Sequence, residues 1–209
     1  MAKRTGEKYQ AIIDAAVIII AENGYHNAQV AKIAKEAGVA DGTIYLYFEN
    51  KEDVLISLFR NKMGLFTETV RKELKNTGSP FEMLARLIQA HFTRLQQDRS
   101  LASVLQIELR QSEPSIRQGI SQIIREYYNL IEHVIRFGIE KGSFNPDMNP
   151  RLARKIVFGS MDEVATCWVL STRQYNLLDM TIPIYNILAR GLSMTGIAPP
   201  FPREIPKTH

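Results

Sequence analysis

At 209 residues, with 45% hydrophobic and 23% charged side chains, the chain can bury a core, and no apolar run approaches the roughly 18 residues that span a membrane. Its start, MAKRTGEKYQ, lacks an apolar signal core, and its single cysteine, Cys167, excludes an intramolecular disulfide, so we expect a cytoplasmic protein. The net charge of +4 favours an anionic partner, yet residues 1–64 carry 8 basic and 8 acidic side chains, so the excess lies in residues 65–209.

Three helices are predicted at the start of the chain. The first is amphipathic and covers residues 7–23, where apolar side chains recur at helical spacing up to Asn23-Gly24. Small apolar residues between positions 30 and 37 predict a short second helix that ends at Gly38, a residue tolerant of positive φ. Asp41 is then placed to cap a third helix over residues 42–48, which turns Ile44 and Phe48 inward.

The third helix presents small and phenolic groups on its outer face and N-terminal end. Two helices joined by a three-residue turn with glycine form the helix-turn-helix arrangement, whose second helix enters the major groove of DNA. The predicted DNA contacts are Gly42, Thr43, Tyr45 and Tyr47 on this helix, with Lys32 and Lys51 as phosphate anchors and further help from Lys3, Arg4 and Lys35. Because the head has no net charge, DNA affinity must come from a few well-placed groups.

The pattern of these helices resembles the TetR family of one-component repressors over residues 7–60. The resemblance rests on Gly-Val at the turn, Gly-Thr-Ile-Tyr-x-Tyr-Phe in the third helix and Asn-Lys-Glu-Asp at the start of the next. Across most of the chain, VADGTIYLYF, LQIELRQS, RLARKIVFGSMDE and CWVL resemble the Bacillus-type members that repress fatty-acid degradation genes. The resemblance implies an all-α, TetR-like fold of about nine helices: a three-helix head on a larger helical body for ligand binding and dimerisation. It also implies a homodimer on a palindromic double-stranded DNA operator, released by long-chain acyl-CoA.

A long fourth helix is predicted to run from Lys51 to about Lys75. Asn50 and Asp53 supply a capped start, and apolar residues follow at helical spacing from Leu55 to Leu74. Lysine at a helix N-terminus opposes the helix dipole, so Lys51 predicts an external anion such as a DNA phosphate.

Five further helices are predicted in the body, over about residues 80–98, 101–111, 114–141, 150–171 and 181–195. A Pro-rich tail, residues 196–209, is expected to be poorly ordered. The predicted domains are therefore residues 1–50 for DNA, residues 51–195 for effector binding and dimerisation, and the tail. Residues 156–170 are apolar apart from Asp162-Glu163, which favours a two-fold interface; an acid buried there needs a partner such as an arginine.

The effector site is predicted from apolar side chains of the body that can line a tunnel. They are Phe66, Leu84, Ile88, Phe92, Leu105, Leu109, Tyr128, Ile131, Phe158 and Met161. Periodicity alone favours a packed core for these residues, whereas the family resemblance favours the tunnel. Arg110 and Arg117, at helix ends, are candidates for phosphate or pantetheine contacts, and the arginine surplus suits a polyanionic ligand, although a solvated surface explains it too.

Catalysis is not expected. Four histidines and one cysteine show no metal-ligand spacing, and no Gly-rich phosphate loop or nucleophile motif occurs, so we expect no enzyme, no cofactor and no metal. His91 and His133 are predicted to be ordinary core or surface histidines. Two alternatives stay open: a multidrug-type regulator that senses another hydrophobic molecule, which the arginine surplus disfavours if that molecule is cationic, and an effector-free DNA-binding protein with a packed body.

Overall fold

The computed structural model describes residues 5–75 and 77–202, and in these ranges the protein is all-α. Its nine α-helices there are α1 Glu7–Asn27, α2 Val30–Glu36, α3 Asp41–Ile44, α4 Lys51–Leu74, α5 Pro80–Gln97, α6 Arg99–Glu108, α7 Pro114–Glu140, α8 Pro150–Leu170 and α9 Thr181–Leu192. A 3₁₀ turn, Leu177–Met180, precedes α9 and was not predicted. Within the same ranges, no helix is both long enough and apolar enough to cross a membrane.

The chain forms two compact units. The first consists of Met1–Leu65 and Asp98–Ile124, and the second of Phe66–Gln97 and Arg125–His209. Helices α4 and α7 each contribute residues to both units. The predicted domain boundary at residue 50 follows the helix-turn-helix pattern rather than these units, and it stays a prediction.

Helix termini in the first unit follow the local sequence signals. Gly38, at φ 66°, ends α2 as predicted. Gly24, at φ 72°, kinks α1 instead of ending it, because residues 25–27 return to helical geometry. At the start of α4, the Asn50 side chain accepts from the Asp53 N–H at 2.8 Å, and the Asp53 carboxylate accepts from the Glu49 N–H at 3.1 Å. The predicted cap is confirmed.

The core of the second unit is formed by the apolar faces of α5, α7, α8 and α9. The buried stripe of α7 in this unit includes Ile131, Val134 and Ile135, whereas Phe137 is half-buried. The stripe drifts around the helix because 3.6 residues per turn do not match a fixed spacing of three or four.

The described part of the tail, residues 196–202, touches α9 at two points. The Tyr185 hydroxyl donates to the Pro199 carbonyl at 3.1 Å, and the Phe201 ring packs edge-on against the Tyr185 ring at 5.3 Å. The Tyr185 ring thus gives Phe201 an aromatic partner, and the poor order of the tail stays a prediction. Residues 203–209 of the predicted tail lie outside the described residues.

Candidate functional site

The helix predicted to contact DNA, α3, is shorter than the sequence indicated. Helix α3 contains four residues, Asp41–Ile44, and the hydrogen bonds beyond it, such as Leu46 N–H to the Thr43 carbonyl at 3.1 Å, form a turn over residues 45–48. Asp41 does not cap the helix: Ala40 occupies the N-cap position, and no side-chain cap bond is made there. The tight bond from the Thr43 N–H to the Ala40 carbonyl, 2.8 Å, closes the first turn without a carboxylate.

Two buried side chains, Ile44 and Phe48, anchor this segment in the first unit, and Phe48 does so against α1. Ile44 and Phe48 are buried, as predicted, and the Phe48 ring stacks on the Tyr9 ring with centroids 5.3 Å apart. Tyr47 is only half-buried, and its ring lies 6.4 Å from that of Tyr9. The anchors fix which side chains of the turn face solvent.

The exposed surface of α3 and its turn is small and weakly polar. Tyr45 is 58% exposed, Gly42 is exposed and Thr43 is half-buried. Leu46, which the sequence prediction did not include, is 68% exposed. Its position outside the Ile44 and Phe48 stripe was the available signal, and an exposed aliphatic group there suits a thymine methyl in the major groove.

Lys51 has a hydrogen-bond acceptor within the protein, which bears on the prediction of an external anion beside it. Its Nζ donates to the His26 carbonyl at 2.9 Å and lies 4.7 Å from the centre of the Tyr25 ring. Burial lowers the pKa of Lys51, and the Glu108 carboxylate opposes that shift. An external anion is therefore not required to explain a lysine at this helix start, because a main-chain carbonyl from α1 supplies the acceptor. Whether Lys51 also contacts phosphate stays a prediction.

The other cations predicted to contact DNA lie either on α2 or outside the described residues. Lys32 and Lys35 are exposed on α2. Lys3 and Arg4 lie outside the described residues. Lys62 of α4, which was not among the predicted contacts, forms an ion pair with Asp14 of α1, so its charge is compensated inside the first unit.

A buried carboxylate joins α6 to the kink of α1. Glu108 is only 5% exposed, and its Oε1 accepts from the Tyr25 N–H at 2.9 Å. Its other oxygen accepts from the Gln111 amide. Burial and then neighbouring carboxylates raise the pKa of Tyr25 to about 12. The prediction did not include Glu108; the available signal was an acidic residue in a helix whose other buried side chains are apolar except for Gln106.

A polar cavity of about 330 Å³ lies beside this link, between residues 24–27 and 107–112. Arg110 lines it and donates to the Gln106 carbonyl at 2.6 Å. Of the predicted headgroup contacts, Arg110 thus lies at a cavity, while Arg117 is an exposed residue of α7.

The predicted effector residues are distributed over both units. Those in the second unit with almost no exposure are Phe66, Leu84, Ile88, Phe92, Ile131 and Met161. Tyr128 and Phe158 are half-buried there and pack edge to face with centroids 4.8 Å apart. In the first unit, Leu105 is buried and Leu109 half-buried. Most of the apolar members are buried, as expected for core residues too, so their role as an effector tunnel stays a prediction.

His91 departs from the satisfied core histidine that the sequence predicted. It lies on α5 in the second unit, and its Nδ1 is 2.8 Å from the Tyr127 hydroxyl. The Phe66 ring meets both of these rings edge-on, at 5.3 Å and 5.2 Å. Among the residues that the structure describes, its Nε2 has no hydrogen-bond partner. Burial lowers the pKa of His91 to about 3 and raises the pKa of Tyr127, so both groups are neutral near pH 7.

An apolar face runs along α8 and α9. Leu152, Ile156 and Ile187 are more than half exposed there, and a cavity of about 600 Å³ lies between the two helices and residues 147–149. Asp162 is buried, whereas Glu163 is exposed and accepts a hydrogen bond from the Cys167 thiol at 3.4 Å. In residues 5–75 and 77–202, no group of three or more His, Cys, Asp and Glu side chains is placed to hold a metal ion.

Comparison with known proteins decides the family. The family pattern described as "Bacterial regulatory proteins, tetR family" matches residues 12–58, and the one described as "YsiA-like protein, C-terminal region" matches residues 59–191. The chain belongs to the TetR family. It is a TetR-family transcriptional regulator with a helix-turn-helix DNA-binding fold, and the predicted family and fold are confirmed.

Close relatives share nearly the whole length of this TetR-family chain. A "Fatty acid metabolism regulator protein" of Bacillus subtilis (strain 168) is 47% identical over 190 residues, which cover 91% of this chain and 98% of the relative. The crystal structure of the transcriptional regulator FadR from Bacillus subtilis in complex with stearoyl-CoA has a TM-score of 0.85 and 48% identity, covering 88% of this chain and 99% of the other. The fatty acid degradation regulator FadR from Bacillus halodurans has a TM-score of 0.84 and 49% identity, with the same coverage of 88% and 99%.

Proposed function

We propose that this TetR-family regulator represses fatty-acid degradation genes as a homodimer and leaves its palindromic operator when long-chain acyl-CoA binds. The observation that carries the proposal is identity of 47–49% along nearly the whole chain to regulators named for fatty acid metabolism or degradation. One of those relatives was solved with stearoyl-CoA. The same identity favours this function over a multidrug sensor or an effector-free DNA-binding protein.

Operator binding is assigned to α3 and its turn. Tyr45 and Leu46 project into solvent beside the small residues Gly42 and Thr43, so the main chain can approach the base edges closely. Two such segments in a dimer would enter successive major grooves about 34–36 Å apart, which accounts for a palindromic operator. Lys32 supplies an exposed cation for a phosphate on the same side of the motif.

Dimerisation is assigned to the apolar face of α8 and α9. Ile187 is 69% exposed, and Leu152 and Ile156 also point away from the core of their own unit. Large aliphatic side chains grouped around a cavity of about 600 Å³ suit the same helices of a second copy, since a two-fold axis brings one patch onto itself. Burial of these groups stabilises the dimer by about 25 cal/mol for each Å² of apolar surface.

The acyl chain is assigned to the apolar cluster of the second unit, which contains Phe66, Ile88 and Phe92. Because these side chains are almost fully buried, the acyl chain would bind a state in which they have moved apart. Each buried CH₂ contributes about 0.8 kcal/mol. About seven of them therefore match the roughly 5.5 kcal/mol needed to move a two-state equilibrium almost completely.

The test is operator binding, measured by fluorescence anisotropy on fragments from the upstream regions of fatty-acid degradation genes. Palmitoyl-CoA and stearoyl-CoA are expected to weaken binding, whereas free CoA, free palmitate and a cationic dye are not. Release by the dye but not by acyl-CoA would instead support a multidrug sensor. Equal, negligible effects of all ligands would support an effector-free DNA-binding protein. Native mass spectrometry of the same sample reports the dimer mass.

A further inference from the structure

The buried His91 and Tyr127 pair leaves one polar atom unused in the core of the second unit. His91 is 3% exposed, Tyr127 is fully buried, and the two rings are stacked with centroids 5.7 Å apart. Their single hydrogen bond joins Nδ1 to the hydroxyl, and Nε2 has no partner within the described chain. A buried polar group without a partner is costly, typically by about 1–3 kcal/mol, so its presence calls for an explanation.

The chemistry of the pair fixes what Nε2 offers. If Nδ1 carried the proton, the Tyr127 hydroxyl hydrogen and the Nε2 lone pair would both lack partners. If the Tyr127 hydroxyl donates to Nδ1, only the Nε2–H is unpaired, and this arrangement leaves fewer buried groups unsatisfied. Nε2 is therefore a neutral N–H donor on a buried imidazole whose ring packs near those of Phe66, Phe92 and Tyr127.

A neutral donor in apolar surroundings selects a neutral acceptor that arrives with an apolar chain. In a long-chain acyl-CoA, the thioester carbonyl is the first polar atom next to the alkyl chain. A free fatty acid would bring an ionised carboxylate, whose burial beside a single neutral donor is far more costly. Resting on the proposed function, we infer that the His91 Nε2–H recognises the thioester carbonyl of the bound acyl-CoA and makes the sensor prefer a thioester over other lipid headgroups.

Tyr127 acts as a positioning residue in this arrangement. Its hydroxyl holds the histidine in the tautomer that donates from Nε2, and its ring stacks on the imidazole. Phe66 packs edge-on against both rings and supports their relative orientation. Loss of the Tyr127 hydroxyl should therefore weaken the preference for a thioester without removing the donor.

The test compares two ligands that differ only at the carbonyl. Palmitoyl-CoA has a thioester, and S-hexadecyl-CoA is a thioether with the same number of chain carbons and no carbonyl oxygen. Their dissociation constants are measured by calorimetry, below the concentrations at which they form micelles, for the wild type, His91→Phe, His91→Gln and Tyr127→Phe. His133→Phe is the matched control, because His133 is an exposed residue on α7.

The wild type should bind the thioester about three- to tenfold more tightly than the thioether, the range expected for one hydrogen bond. His91→Phe should bind both ligands equally, with an unchanged affinity for the thioether. The preference of Tyr127→Phe for the thioester should lie between those of the wild type and His91→Phe. His91→Gln, whose amide can donate from a similar position, should regain part of the preference. His133→Phe should behave as the wild type.

Three outcomes would overturn the inference. The first is a wild type without preference for the thioester, which needs no variant to fold. The second is a His91→Phe protein that keeps the preference, and the third is equal weakening of both ligands, which marks a purely structural role. A wild type that binds neither ligand contradicts the proposed function, and the inference falls with it; a wild type that binds both equally contradicts the inference alone.

Discussion

The link between Glu108 and Tyr25 predicts how removal of one buried carboxylate affects the first unit. Glu108→Ala leaves the Tyr25 N–H and the Gln111 amide without their acceptors. Each buried donor left unpaired costs about 1–3 kcal/mol, and Gln111 can recover part of its cost by turning to solvent, so we expect a total of about 2–4 kcal/mol. In a chain of 209 residues this lowers the melting temperature by about 5–15 °C.

The same substitution should weaken operator binding, because Tyr25 lies in the last turn of α1, after the Gly24 kink and four residues before the N-cap of α2. Scanning calorimetry gives the melting temperature, and fluorescence anisotropy at least 20 °C below it gives the operator affinity of the folded protein. Glu108→Gln keeps one carbonyl oxygen for the Tyr25 N–H, so its melting temperature and operator affinity should fall less than those of Glu108→Ala. Glu113→Ala, at an exposed position nearby, is the control. The reasoning is refuted if Glu108→Ala melts and binds the operator like the control.

Three further predictions concern packing, assembly and pH. Gly138→Ala places a Cβ in steric overlap with the Phe144 ring and should destabilise the protein by about 1–3 kcal/mol. Gly64→Ala, whose Cβ meets nothing within 4 Å, should instead stabilise the protein by about 0.5–1 kcal/mol. Urea unfolding of the two variants measures both changes. Ile187→Asp should convert the proposed dimer to a folded monomer in sedimentation experiments, and an unchanged mass would refute the assigned face. The pKa of His91 falls from 6.5 to about 3 on folding, so at acidic pH the unfolded chain binds a proton that the folded protein does not. As the pH drops below 6.5, the free energy of unfolding of the wild type should therefore fall by about 1.4 kcal/mol per pH unit relative to that of His91→Phe. An equal difference in stability between the two proteins at pH 7 and pH 5 would contradict this.

Sequence patterns predicted those features whose determinants lie close together in the chain. The turn at Gly38 and the cap formed by Asn50 and Asp53 each depend on residues within four positions of each other. The length of α3 was wrong because a helix of four residues is too short for periodicity to show where it ends.

These sequence patterns could not predict the hydrogen-bond partners of buried polar groups. Lys51 donates to a carbonyl 25 positions earlier, and Glu108 accepts from an N–H 83 positions earlier. His91 was predicted to be satisfied, and the orphaned Nε2 follows only from the packing of α5 against the aromatic residues of the second unit. Long-range pairing depends on the fold, so a spacing rule cannot predict it.

The charge of the first unit bears on how an effector can release DNA. Lys62 is paired with Asp14 and Lys51 is bonded to a main-chain carbonyl, while Lys32 and Lys35 are exposed on α2. Each phosphate contact contributes about −0.9 to the slope of log affinity against log salt, so a head that makes only a few such contacts holds DNA weakly by itself. In the proposed dimer, tight binding then depends on both heads engaging one operator, where the second head binds at a high effective concentration. A change in head spacing that prevents simultaneous engagement removes this gain at once, so the effector can release the operator without altering any residue that contacts DNA.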